Sequence, residues 1–80
     1  MSLYFFDLRS AGSFSRDDVG MELPDAEAAH DMAFDALVAL ARDGITEGTM
    51  GQRYTIEVRN GIGAVLEVTG VFDSKILRWQ

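Results

Sequence analysis

Arg53-Tyr54-Thr55-Ile56-Glu57-Val58-Arg59-Asn60-Gly61-Ile62-Gly63-Ala64-Val65-Leu66-Glu67-Val68-Thr69, residues 53–69, decides the fold. Tyr54, Ile56 and Val58 alternate with Thr55, Glu57 and Arg59, a period of two that gathers the apolar set on one face of a strand. Asn60-Gly61 predicts a tight hairpin turn, because both central positions of such a turn need positive φ. Gly63 leaves room for a longer loop or a bulge. Residues 64–69 return as the partner strand with Leu66 and Val68 inward, and Val71-Phe72 extends it after a break at Gly70. A tail, 73–80, follows with the only tryptophan, Trp79.

Upstream of this hairpin the period changes. Leu23-Pro24-Asp25 is a helix start: Asp25 can accept hydrogen bonds from the orphan first-turn amides, and Glu27 suits the positive end of the macrodipole. Helix formers then run from 26 to 43, giving a helix over 25–43 that Gly44 is placed to terminate. Ala26, Ala29, Ala33, Ala36, Leu37 and Leu40 line one face, and side chains this small let a helix sit close to a sheet. Glu27, Asp31, Asp35 and Arg42 mark the solvent side, yet Phe34 and Val38 lie beside them rather than on the alanine stripe. Residues 45–52 form a glycine-containing loop before the next strand.

At the start of the chain, residues 3–9 alternate as a strand with Tyr4, Phe6 and Leu8 on one face and Phe5, Asp7 and Arg9 on the other. Ser10-Ala11-Gly12-Ser13 turns it, residues 14–16 return as a short strand, and 17–20 turn again, so 3–16 form a first hairpin. The order is ββαββ. The economical packing is α+β: a four-stranded antiparallel sheet with one helix on one face, in one domain over 1–80. The uncovered face then holds Phe5, Asp7, Arg9, Arg53, Thr55, Glu57, Arg59, Val65, Glu67 and Thr69, polar enough to meet water.

Tyr4-Phe5-Phe6-Asp7-Leu8-Arg9, then Asp18-Val19-Gly20-Met21-Glu22-Leu23-Pro24-Asp25, then Glu27-Ala28-Ala29 together resemble a short uncharacterised family of alphaproteobacterial proteins. Its members open on a Tyr-Phe-Phe strand and begin their helix with Glu-Leu-Pro-Asp. The resemblance covers most of the chain, both hairpins and Phe72-Asp73 included. It implies a domain of unknown function and supplies no catalytic residue. Asp7 stands where a histidine is common in that pattern, so a role for an imidazole there does not carry over.

Composition removes several chemistries. There is no cysteine, hence no disulfide, thiolate metal site or cysteine nucleophile. His30 is the only histidine, too few for a zinc site, and Asp17, Asp18 and Glu22 do not follow calcium-loop spacing. Gly61-Ile62-Gly63 lacks the third glycine and the following helix of a dinucleotide fingerprint. No serine elbow occurs, and a histidine at the edge of a helix face is read as partly buried packing. No catalytic residue, metal or cofactor is expected. With no apolar run long enough to span a bilayer and no leader pattern, a cytoplasmic protein is expected.

Net charge is −6, and no Lys or Arg occurs between Asp17 and Ala41. That face repels phosphate backbones, which disfavours nucleic acid and anionic lipid. A second reading keeps single-stranded RNA on the open sheet, with Phe5 to stack and Arg9, Arg53 and Arg59 to neutralise. The leading expectation is a small non-enzymatic interaction module, a homodimer or the partner of another protein. Its surface would be Phe34, Val38 and Ala41, joined by Ile76 and Trp79 of the tail. The alternative is that the loop or tail folds back over Phe34 within one chain. Glu57 and Glu67, as cross-strand neighbours with Arg9, Arg53 and Arg59 nearby, are read as surface ion pairs.

Overall fold

Alternating apolar side chains and a single small-residue helix produce a two-layer α+β structure in the computed structural model, which describes residues 1–10, 12–46 and 52–72. The elements are β1 (Ser2–Ser10), β2 (Ser13–Ser15), β3 (Met21–Leu23), α1 (Ala26–Thr46), β4 (Gln52–Arg59) and β5 (Ala64–Phe72). Every strand pairing is antiparallel, in the order β2-β1-β4-β5. The tail 73–80 and most of the loop before β4 lie outside the described residues.

Among the described residues the sheet has five strands rather than four. The extra one is β3, which pairs Met21, Glu22 and Leu23 with Tyr4, Leu3 and Ser2. It lies on the same edge of β1 as β2, which pairs only with Leu8–Ser10. Three residues ahead of a proline carry too little alternation to read as a strand; pairing to a preformed β1 supplies the missing order.

Apolar alternation on β1, β4 and β5 buries Tyr4, Tyr54, Ile56, Val58 and Val68 against Ala29, Ala33 and Leu37 of the helix. Phe6, Leu8, Leu23, Leu40, Leu66 and Phe72 close the margins. The buried helix stripe is the i, i+4 row Ala29, Ala33, Leu37 and Ala41, while Ala26 and Ala36 are exposed. Asp25 caps the helix as expected, its Oδ1 accepting from the Ala28 amide at 2.9 Å. The helix does not stop at Gly44 but runs to Thr46; glycine permits the left-handed stop without imposing it.

Two turn expectations also change. The positive-φ glycines among the described residues are Gly12, Gly20 and Gly63, not Gly61. Asn60 closes a wider loop instead. Its amide donates to the Gly63 carbonyl, and its Oδ1 accepts from the Ile62 and Gly63 amides at 2.9 and 3.1 Å. The register then slips between Val58 and Arg59, the bulge that Gly63 suggested. β5 runs unbroken through Gly70, where a Cβ would sit 2.6 Å from Cε2 of Phe72 and 3.0 Å from Cδ2 of Leu37. Glycine there lets the Phe72 ring lie over the strand beneath the helix.

Candidate functional site

Two surfaces can be built from these elements, one on each side of the sheet. On the open side, β2 and β3 leave a gap along β1 between Tyr4 and Leu8, and the Phe6 amide points into it. The 17–20 turn fills the gap. Oδ2 of Asp17 accepts from Phe6 N at 3.1 Å, and its Oδ1 accepts from Val19 N and Gly20 N at 3.0 and 3.1 Å. One carboxylate thus stands in for a missing strand residue. Its own amide donates to Oδ1 of Asp7 at 2.9 Å.

Asp7 is 3% exposed, the only buried charged side chain among the described residues. Its Oδ2 accepts from Arg59 Nε at 2.9 Å, and Arg59 Nη2 donates to the Asp17 carbonyl at 2.7 Å. The same guanidinium lies 4.4 Å above the centroid of Phe5. Burial pushes the Asp7 carboxyl upward, but the Arg59 hydrogen bond, the Asp17 amide and the charges of Arg59 and Arg16 outweigh it and hold the group below its ordinary 3.8. Asp17 is also held low, by the amides of Gly20, Phe6 and Val19 against a smaller desolvation cost, with help from the Arg59 charge.

Gly20 belongs to this cluster. It has φ of 78°, and a Cβ there would lie 2.9 Å from Cε1 of Phe5. Gly20→Ala is expected to cost about 1–3 kcal/mol through left-handed strain and displacement of the ring. Urea unfolding measures it; an unchanged midpoint would mean that the turn is not held against Phe5.

The residues offered for RNA contact are therefore largely committed within the chain. Phe5 is half-buried beneath Arg59, and Arg59 is paired to Asp7. Arg9 is exposed but lies 5.4 Å above the Phe14 ring, and Arg53 is exposed. Glu57 and Glu67 are cross-strand neighbours, as expected, but no ion pair joins either among the described residues, because Asp7 takes Arg59. Burial of Asp7 was not legible in the sequence. Its cue is an Arg near a strand end, and only the β1–β4 register brings the two together. Asp17 is a turn former, with both carboxylate oxygens turned onto backbone amides. The described residues contain no group of three or more His, Asp or Glu able to hold a metal ion.

On the helix side, Phe34 is 52% exposed and Val38 38%. His30 is exposed rather than partly buried. It bonds Asp31 at 3.2 Å and stacks near Phe34, ring centroids 6.4 Å apart. An open depression of about 400 Å³ lies against His30, Asp31, Phe34 and Asp35. Ala41, expected in this patch, is buried at 5% because the i, i+4 row from Ala29 carries it under the helix. Ile76 and Trp79 lie outside the described residues.

A family model described as a domain of unknown function, DUF6894, matches residues 3–71, nearly the whole span from β1 through β5. The chain belongs to this family. No curated protein and no solved structure matches it. The matched region of this DUF6894 chain includes both surfaces, the Asp7–Arg59–Asp17 cluster and the Phe34–Val38 stripe. No described helix is long and apolar enough to cross a membrane.

Proposed function

We propose that this DUF6894 domain is a small non-enzymatic interaction module that associates through the outer flank of α1, working in a bacterial cytoplasm. The observation that carries the reading is the pair Phe34 and Val38. Both are substantially exposed one turn apart, on a helix whose opposite side is already filled by the sheet. An aromatic and a branched residue at i, i+4 extend an apolar ridge along the axis, the kind of surface a partner helix or strand covers. The polar side chains with the most constrained geometry, Asp7, Arg59 and Asp17, are used on one another and on backbone amides. That pattern supports structural rather than catalytic duty.

Light scattering on wild type and Phe34→Asp tests the reading. Wild type is expected to run as an assembly that the substitution dissociates, with the monomer fold intact by circular dichroism. Monomers in both cases, with equal stability, would mean that Phe34 faces water and nothing else.

A further inference from the structure

We infer that the partner is a second copy of this chain, joined through the free edge of β5 so that the two five-stranded sheets become one. This rests on the Phe34–Val38 reading and specifies what covers that stripe. Among the described residues β5 pairs on one side only, with β4, and its nine residues contain no lysine or proline. Val65, Glu67, Thr69 and Val71 are all exposed along it. An edge of this length with one charge is open to pairing, because its outward amides and carbonyls have no ladder among the described residues.

The hand of the sheet places the helix stripe over that same edge. Phe6 faces the helix layer, and its amide points toward Asp17 on the β2/β3 side of β1. For an L-residue this fixes left and right. Seen from the helix with β1 running upward, the strands read β5, β4, β1 and then β2 with β3, from left to right. α1 starts beside β3 near Leu23 and reaches the upper end of β5, where Leu37 approaches Gly70, so it also runs upward. Ala33 points back into the sheet. In a right-handed helix running upward, the next residue turns 100° to the left. Phe34 therefore faces the β5 edge, as does Val38 one turn on.

A two-fold axis through the β5 edge then brings the stripes together. α1 packs on both β4 and β5, so its axis lies about one strand spacing, ~4.8 Å, from such a two-fold. Two helices related by it stand ~10 Å apart, the ordinary distance for helix packing. The strand sequence selects the register. Centred on Val68, antiparallel β5 edges set Val65 opposite Val71 of the partner subunit and Glu67 opposite Thr69 of the partner subunit. Centring on Glu67 would put two carboxylates face to face, which is unfavourable. The alternation also aims the Glu67, Thr69 and Val71 amides outward. Thr55 and Thr69, whose hydroxyls lie 3.0 Å apart, form a close pair between β4 and β5, so their amides point away from each other.

Sedimentation velocity on the full chain with Thr69→Glu and Thr69→Lys is the test. Both substitutions remove the same hydroxyl contact and differ in the charge set against Glu67 of the partner subunit. Thr69→Glu is expected to raise the dimer dissociation constant by about tenfold or more, and Thr69→Lys to leave it unchanged or lower it. A wild type that stays monomeric overturns the inference. So does a dimer that responds to Phe34→Asp but equally to both Thr69 variants; in that case the helix stripe is still an interface, but the strand edge is not.

Discussion

Replacing Asp7 with alanine is expected to destabilise the domain by about 3 kcal/mol, because it leaves the Arg59 cation unpaired in a half-buried site. Arg59 keeps the Asp17 carbonyl and the Phe5 ring as neighbours but loses its carboxylate, and the Asp17 amide loses its acceptor. For 80 residues total stability is on the order of 4–12 kcal/mol, so one substitution removes a large part of it. Arg59→Met alone should cost a similar amount by stranding Asp7, which is 3% exposed. The double variant Asp7→Ala with Arg59→Met should cost clearly less than the sum, since neither charge is then orphaned. Urea unfolding of the four proteins measures the coupling. Losses that add to within about 0.5 kcal/mol would show that the pair is not energetically linked.

Acid should unfold the protein through the same cluster, and Asp17→Asn should cost about 2–3 kcal/mol at neutral pH. Its carboxylate accepts from three backbone amides through two oxygens, whereas asparagine must turn an NH2 group toward Phe6 N or toward Val19 N and Gly20 N. Both Asp7 and Asp17 have folded-state values below the ordinary 3.8. The unfolded chain therefore takes up protons first as pH falls. The stabilisation is complete above the ordinary carboxylate value and drains away below it, as pH drops through the lowered folded values. Unfolding midpoints should be nearly flat from about pH 7 to 5 and fall steeply below about pH 4. Asp17→Asn should make that acid limb shallower. A limb of unchanged slope would assign the acid sensitivity to other carboxylates.

Asp7 shows how far the sequence reached toward this cluster. Its alternation with Phe6 and Leu8 places it on the open face, but a residue on that face can still be buried, as Asp7 is. The 17–20 turn and the Arg59 guanidinium cover one patch of that face, and the turn has too few periodic residues to announce itself. The helix stripe was legible in part. Phe34 and Val38 stood out as apolar residues among acids, whereas Ala41 needed the true rotation of the helix to be placed beneath it.

Local chemistry alone determined the two hairpins, the capped helix and the absence of thiol chemistry, because period, turn residues and caps act within a few positions. The tertiary structure decided that β1 lies beside β4, that β3 joins the sheet, and that Asp7 and Arg59 meet across 52 positions. Strand order and handedness are properties of the assembled sheet. No window of sequence contains the partner that fixes them, so those contacts exist only once the whole chain has folded.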